Sequence, residues 1–253
     1  MKQIIGGNWK MNGSGLAALE FLKEMKRLGS GSEFPEIVLF PPFTILPLIA
    51  DAAADAGIET GGQDIFWLEK GAFTGEISPS LLLDAGATWF LAGHSERRHV
   101  IGETDDIVRR KLQAGLLSGL RGILCVGELI EERNADRTEE VVKRQVEYAL
   151  RDLEGVSNEN FVIAYEPVWA IGTGLTATPD EAQRMHSLIR EWVAGIAGTE
   201  FADNTRIQYG GSVKPDNAAE ILSMPSINGA LVGGASLKAE SFMDIIRAVP
   251  FQK

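Results

Sequence analysis

Short apolar runs alternate with amphipathic helical segments along the whole chain, and this alternation constrains the fold more than any other feature. Eight runs rich in Val, Ile and aromatic residues predict strands: QIIGGNW, EIVLFPP, IETGGQ, TWFLAGH, GILCVGE, FVIAYEP, RIQYGG and GALVGG. These runs are apolar along much of their length, which is typical of strands buried on both faces of a parallel sheet. The helices between them would cover that sheet on the outside.

The number of strand–helix pairs and the chain length favour a closed barrel. Eight pairs in 253 residues are what a (β/α)8 barrel requires. A doubly wound open sheet is the alternative that this pattern leaves open. Since no Pro-, Ser- or charge-rich linker divides the chain, we predict an α/β protein with one domain, a single (β/α)8 barrel over residues 1–253.

Local signals mark where several helices begin and which face they bury. In TPDE, Thr178 offers an N-cap, Pro179 occupies the first helical position and Glu181 completes a capping box. Ser78 and Pro79 take the corresponding first two roles in SPS. In LAALEFLKEMKRL the expected buried stripe consists of Leu16, Leu19, Leu22, Met25 and Leu28.

Charge and composition narrow the classes of function. A net charge of −11 argues against a nucleic-acid partner, because nucleic-acid phosphates attract clustered Lys and Arg. A small phosphorylated molecule needs only local donors and stays compatible with this charge. One cysteine, Cys125, and three histidines leave little material for a His/Cys metal site. No apolar stretch approaches the roughly 20 residues that span a bilayer, and the N-terminus lacks a signal-peptide pattern, so we expect a cytoplasmic protein.

Polar residues and glycines follow the predicted strands. In a parallel barrel all strands point the same way, so the residues after them gather at one end, where barrel active sites lie. The set consists of Asn8, Lys10, Gln63, His94, Ser95, Glu96, Glu128, Glu166, Gly210, Gly211, Ser212, Gly233 and Gly234. It combines a lysine, an imidazole, carboxylates and paired glycines, so we predict a functional site at this end.

Three side chains of this set suit acid–base chemistry, although each also has a structural interpretation. Glu166 ends an apolar run, and a carboxylate beside an apolar pocket can act as a general base when an adjoining segment expels water; alone, it could equally cap a helix or form an ion pair. His94 precedes a possible short helix, whose N-terminus disfavours an imidazolium, so a neutral hydrogen-bond donor is expected. Lys10, on the same side of its strand as Asn8, can stabilise an oxyanion or simply form an ion pair.

Three loops carry further signals. The glycine pairs of YGGS and VGGAS suit a phosphate site after the seventh and eighth strands, although turn glycines are also common for conformational reasons alone. The stiff PVW and the glycines of IGTG suit a lid. The long connection DIFWLEKGAFTGEIS, residues 64–78, is functional or folds back as a minor core.

Seven motifs in order carry a resemblance to one family. They are GGNWKMN, GAFTGEIS, GHSERR, CVGE, AYEPVWAIGTG, YGGSVKP and LVGGASL. On these motifs the sequence resembles the triosephosphate isomerase family over essentially its whole length. The resemblance implies interconversion of dihydroxyacetone phosphate and D-glyceraldehyde 3-phosphate through an enediolate, in glycolysis and gluconeogenesis, without a metal or an organic cofactor.

The resemblance also implies roles for individual residues. Glu166 would move a proton between adjacent carbons, and His94 would polarise the carbonyl and shuttle hydroxyl protons. Lys10 and Asn8 would hold the substrate and the enediolate charge. The phosphate would be held by Gly172, Ser212, Gly233 and Gly234, with Gly211, Glu96 and Cys125 as supporting residues. The lid would consist of Pro167, Val168, Trp169, Ala170, Ile171, Gly172, Thr173 and Gly174.

The resemblance further implies a homodimer, in which the 64–78 loop docks into a partner near Asn8 and Lys10. The docking residues would be Phe73, Thr74 and Gly75. Two positions depart from the family pattern. Leu175 stands where the family usually has lysine, and Asp64 follows Gln63 where asparagine is more usual. We expect changes in lid kinetics or loop packing from these departures and none in the chemistry.

Two other interpretations of the same barrel stay open. One is an enzyme for another phosphorylated substrate, such as an epimerase or an indole-pathway barrel, but such families would lack the ordered NWK, HSE and YEPVWAIGTG set. The other is a catalytically inert scaffold or binder. That interpretation predicts the loss of Lys10, His94 or Glu166, and all three are present.

Overall fold

Eight parallel strands close into a barrel in sequence order. The structure, a computed structural model, describes residues 1–29, 34–171 and 176–250. The strands are β1 (Ile4–Asn8), β2 (Glu36–Phe40), β3 (Glu59–Gly62), β4 (Trp89–Ala92), β5 (Arg121–Val126), β6 (Phe161–Tyr165), β7 (Arg206–Tyr209) and β8 (Gly229–Val232). The predicted single (β/α)8 barrel is confirmed, and the open-sheet alternative is wrong.

Helices follow the strands on the outside of the barrel. They are α1 (Gly15–Leu28), α2 (Leu46–Asp55), α3 (Pro79–Asp84), α4 (Asp105–Leu117), α5 (Ile130–Asn134), α6 (Thr138–Leu150), α7 (Pro179–Ala197), α8 (Thr199–Asn204), α9 (Ala218–Leu222) and α10 (Ala239–Arg247). None of the helices in the described ranges has the length and apolarity needed to cross a membrane.

The barrel closes where β8 pairs with β1. Residues 4–7 of β1 lie beside residues 229–232 of β8 in a parallel register. Gly229 makes this contact possible, since a Cβ atom there would lie only 1.8 Å from the backbone oxygen of Ile4. Its φ of +142° also lies in a region that other residues rarely adopt.

Alternate residues of each strand feed two apolar layers. Ile4, Val38, Trp89 and Leu91 point into the barrel and pack in its interior. Their neighbours, such as Ile5, pack outward against the helices. Both layers are buried, which explains why the strand sequences are apolar along most of their length.

The buried face of α1 differs from the predicted stripe. Ala18, Phe21, Leu22 and Met25 are buried, and the Phe21 ring lies edge-on to that of Trp9, with 5.1 Å between centroids. Leu16 and Leu19 are exposed instead. The predicted stripe used a spacing of three, and such residues drift by about 60° per step around a helix of 3.6 residues per turn.

The predicted helix starts are present. The Thr178 side chain accepts from the Glu181 N–H while the Glu181 carboxylate accepts from the Thr178 N–H, and Pro179 opens α7. Ser78 accepts from the N–H of Leu81 at the start of α3. The capping box therefore sets where α7 begins, just beyond the predicted lid.

The buried His186 on α7 makes stability depend on pH. Burial lowers its pKa to about 3, whereas an unfolded histidine titrates near 6.5. The unfolded chain therefore binds more protons between these two values, and this histidine weakens the fold as the pH falls below about 6.5.

We expect His186→Gln to flatten the acid side of the stability curve. Between about pH 6 and pH 4 the native histidine should remove about 1.4 kcal/mol of unfolding free energy per pH unit, and the variant should lack that contribution. Urea unfolding at several pH values and a fixed chain concentration measures the difference in slope. His99→Gln is the control and should change the slope much less, because His99 is exposed. Equal slopes for wild type and His186→Gln would contradict the assignment.

Candidate active site

A cavity of about 590 Å³ opens at the carboxyl end of the strands, a size typical of small-ligand sites. Eight of the residues predicted from strand ends line it: Asn8, Lys10, His94, Glu166, Gly210, Gly211, Ser212 and Gly233. Asn8 is the last residue of β1, and the others come from the loops after β1, β4, β6, β7 and β8. Barrel closure is what brings these loops to one place.

The Glu166 carboxylate is buried directly after β6 and is held by two groups from the loop after β4. One oxygen, Oε2, accepts from the Ser95 backbone N–H at 2.9 Å. The other, Oε1, lies 3.2 Å from Nε2 of His94. Both oxygens of the carboxylate are therefore occupied by contacts within the protein in this orientation.

The His94 ring is oriented by its own loop. The N–H of Glu96 points to Nδ1 of His94 at 3.3 Å, so Nδ1 acts as an acceptor and the proton of a neutral ring lies on Nε2. That nitrogen faces Glu166. The contacts of the ring therefore leave Nε2 directed at the Glu166 carboxylate.

Lys10 leaves the strand in an unusual backbone conformation. Its φ is +52°, its N–H donates to Oδ1 of Asn8 at 3.0 Å, and its carbonyl accepts from the Gln63 amide at 2.8 Å. Its ammonium contacts Oε1 of Glu96 at 2.6 Å. Lys10 and Asn8 both face the cavity. The positive φ of Lys10 and its hydrogen bonds to Asn8 and Gln63 hold it there, which strand alternation alone does not predict.

The residues after β7 and β8 add backbone groups to the cavity wall. Gly211 and Ser212 follow β7, and Gly233 follows β8. Gly234 lies one residue further on and begins a short 3-10 helix, Gly234–Leu237. Such a turn exposes unpaired N–H groups, which bind phosphate in many barrels.

The segment after Glu166 is anchored to the loop after β5. Pro167 is buried, and Val168–Ala170 form a single 3-10 turn. The Val168 N–H donates to the Glu128 backbone oxygen at 3.1 Å, and the Trp169 indole donates to the Glu128 carboxylate at 2.8 Å. Ile171 lines the cavity. The predicted lid residues Gly172, Thr173 and Gly174, and Leu175 after them, lie outside the described residues.

Cys125 lies at the end of β5 with its side chain inside the barrel. Burial and the neighbouring Glu166 carboxylate raise its pKa well above the usual thiol value. It is therefore a neutral packing partner beside Glu166.

The chain is similar to known proteins over nearly its whole length. The family profile described as triosephosphate isomerase matches residues 3–249. A protein of that name from Citrifermentans bemidjiense is 50% identical over 97% of this chain and 98% of its own. The proteins of that name from Rhodopirellula baltica and Dictyoglomus thermophilum are 48% and 46% identical, each over 98% of this chain and 97% and 99% of their own.

The chain belongs to the triosephosphate isomerase family.

Asp64 stands where the triosephosphate isomerase family usually has asparagine. Its carboxylate completes a largely buried ring of four alternating charges. Both its oxygens lie 2.7 Å from Nζ of Lys111, which also contacts Glu103 at 2.5 Å. Arg97 contacts Glu103 at 2.5 Å and Asp64 at 2.9 Å. Burial, opposed by Lys111 and Arg97, raises the pKa of Asp64 to about 6. The ring ties the start of the 64–78 loop to the helical turn that follows His94.

The rest of the 64–78 loop is partly buried and partly exposed. The Phe66 ring is buried and stacks on Trp67, with 4.0 Å between centroids. Phe73 contacts Phe66 at 4.5 Å between centroids, yet 42% of it is exposed. Thr74 and Gly75 are exposed at the tip. The loop therefore folds back at its base and projects at its tip.

Three contacts of this site were not predicted from the sequence: those of Ser95 with Glu166, of Gln63 with Lys10 and of Glu128 with Trp169. Ser95 acts through its backbone N–H, for which no residue type is a signal. Gln63 and Glu128 were recognised at strand ends, but nothing indicated that they hold Lys10 and Trp169. Burial raises the pKa of Glu128, although hydrogen bonds from Trp169 and Tyr165 oppose that effect.

We expect Lys111→Met to destabilise the fold strongly, because it leaves two buried carboxylates with one cation. The loss should be about 3–5 kcal/mol of unfolding free energy, measured by urea unfolding at a fixed chain concentration. Lys143→Met removes an exposed pair with Glu147 at 3.8 Å and should cost at most about 1 kcal/mol. Similar losses of unfolding free energy in both variants would show that the buried ring stabilises the fold no more than an exposed ion pair does.

Proposed function

We propose that the chain interconverts dihydroxyacetone phosphate and D-glyceraldehyde 3-phosphate at the cavity described above. The supporting observation is the convergence of Glu166, His94 and Lys10 on one cavity that ends in the backbone donors after β7 and β8. Membership of the triosephosphate isomerase family supports the choice of substrate.

Glu166 acts as the base. Its carboxylate removes a proton from C1 of dihydroxyacetone phosphate, and the C–H electrons form the C1–C2 double bond of an enediolate as the carbonyl electrons move onto O2. His94 donates from Nε2 to O2 and mediates the proton transfer from O1. The protonated Glu166 then returns its proton to C2, which leaves the aldehyde at C1. This family is the standard example of a carboxylate base paired with a neutral imidazole.

Lys10 and Asn8 hold the reacting oxygens. The ammonium of Lys10 stabilises the enediolate charge because it is fixed before the charge develops. Its contact with Glu96 and the support of its backbone by Gln63 keep it in place. Glu96, Gln63 and Cys125 therefore act through their neighbours rather than on the substrate.

The phosphate binds to the backbone donors of Ser212, Gly233 and Gly234, with Gly211 shaping the turn. Gly172 would add a donor from the lid. Closure of residues 167–174 over the phosphate would expel water and protect the enediolate from losing its phosphate. The inert-scaffold interpretation loses support from the same geometry, because a scaffold has no need to converge Lys10, His94 and Glu166, and the other-substrate interpretation loses support from membership of the family.

We expect Glu166→Gln to lower kcat by about 10²- to 10⁴-fold, since the amide cannot accept the proton. A coupled assay of glyceraldehyde 3-phosphate isomerisation measures it, with a chelator present so that metal independence is tested as well. Glu131→Gln, an exposed carboxylate on α5, is the matched control and should keep wild-type activity. Inactive wild type that is folded and dimeric would reject the proposed reaction and leave the binder interpretation.

A homodimer through the 64–78 loop is part of the proposal. Phe73, Thr74 and Gly75 would dock beside Asn8 and Lys10 of a second copy. The exposed apolar residues Met11 and Val100, 96% and 78% exposed, lie next to the site segments and would be covered in such a dimer.

We expect Thr74→Arg to weaken dimerisation by about 100-fold or more, because the interface would have to bury an unpaired charge. Sedimentation at several concentrations measures the constant, and activity should fall with dilution in parallel. Thr199→Arg, an exposed threonine on α8, should change neither. A wild-type chain that stays monomeric at micromolar concentration would contradict the dimer.

Four expectations from the sequence stay predictions. They are a single catalytic domain over residues 1–253, turnover without a metal or organic cofactor, no nucleic-acid partner and a cytoplasmic location. The chelator arm of the assay tests the second of these directly.

A further inference from the structure

Arg133 connects the two ends of the segment that follows Glu166. Its guanidinium lies over the Trp169 ring, 4.2 Å from the centroid. It also donates to Oε1 of Glu181 at 2.6 Å. The other oxygen of that carboxylate accepts from the N–H and hydroxyl of Thr178 at the start of α7. One side chain therefore contacts both Trp169 and the capping box.

Trp169 packs against the core on one side only. The indole is only partly buried and lines a second cavity of about 760 Å³, together with Arg133, Tyr165 and Glu181. A ring beside open space can move without displacing other side chains. Its position therefore also depends on specific contacts, which include the hydrogen bond to Glu128 and the stacking by Arg133.

The position of Trp169 in turn affects Glu166. Only Pro167 and Val168 separate the two residues, and both Val168 and Trp169 are tied to Glu128. In this arrangement both oxygens of Glu166 are occupied, one by the Ser95 N–H and one near His94. The carboxylate must give up at least one of these contacts to reach a carbon of a bound ligand.

We propose that Arg133 is a positioning residue that holds Trp169 and the start of α7 together and so stabilises the resting orientation of Glu166. This inference rests on the proposed function, because it assigns Arg133 to the cycle of the same site. Ligand binding then has to overcome the stacking before Glu166 can turn toward the substrate. Removing Arg133 lowers that cost.

The consequence is unusual for a substitution near an active site: ligand binding becomes tighter. A half-exposed cation–π contact predicts a gain of about three- to fivefold. Damage to the site would weaken binding, so the direction of the change separates positioning from a merely structural role.

The experiment uses Arg133→Met with Arg184→Met as the matched control. Arg184 lines the same cavity and its guanidinium pairs with Glu139 on α6, whereas that of Arg133 lies over the Trp169 ring. Titration calorimetry with 2-phosphoglycolate, a small phosphorylated carboxylate, gives the Kd of each full-length protein. Arg133→Lys, which keeps a charge near Glu181 but loses the planar stacking, should fall between wild type and Arg133→Met.

A second readout monitors Trp169 in the ligand-free protein. The protein is labelled with 5-fluorotryptophan, and the Trp169 fluorine signal is assigned with Trp169→Phe. The signal should shift in Arg133→Met and stay in place in Arg184→Met. A Kd for Arg133→Met that is unchanged or weaker, or a Trp169 signal that does not move, overturns the proposal.

Failure of the proposed function gives a different result. If folded, dimeric wild type neither turns over the triose phosphates nor binds 2-phosphoglycolate, the isomerase assignment fails. The fluorine signal of the ligand-free protein still decides whether Arg133 holds Trp169.

Discussion

Hydrogen bonding between the first and last strands is the interaction on which the rest of the structure depends. Once β8 pairs with β1, no strand of the sheet has a free edge, and all eight strands point the same way. Their carboxyl ends then form a ring of loops. Asn8 and Glu166 are distant in sequence and yet line one cavity because that ring is closed.

The two ends of the barrel use charge differently. At the amino end, Glu36 pairs with Arg121 and Arg206, and both guanidinium groups lie over the Trp89 ring inside the barrel. Arg121 also pairs with Glu59, so two carboxylates balance the two guanidinium groups at the bottom of the apolar interior. At the carboxyl end, Lys10 and Glu166 remain at a cavity wall, so charge is available there for a ligand.

Much of this arrangement could be predicted because it follows from local patterns. Apolar runs identified all eight strands, and the residues at their ends identified half of the residues that line the cavity. The capping box at Thr178 located the start of α7. The buried face of α1 was predicted correctly at Leu22 and Met25 and wrongly at Leu16 and Leu19. All four are apolar, and only packing against Trp9 and its neighbours selects between the faces.

Contacts between distant segments could not be predicted in the same way. The Ser95 N–H that holds Glu166 belongs to a backbone that every residue has. The Asp64–Lys111 contact and the stacking of Arg133 on Trp169 depend on loop positions in space, and many charged residues in the sequence look equivalent to these. Such contacts fix the orientation of side chains whose identity the sequence already shows. They therefore determine the geometry of the ligand-free site.

The pairing of β1 with β8 also has a consequence for how the chain is made. Ile4 and Gly229 are neighbours across the closing edge, so the ribosome must synthesise almost the entire polypeptide before β1 acquires its second partner. Until then a nascent chain exposes one unpaired strand edge, which is the kind of surface that chaperones recognise and that aggregates. Contacts of such long sequence separation also slow folding. Because the site requires the closed barrel, it can form only after nearly the whole chain has been synthesised.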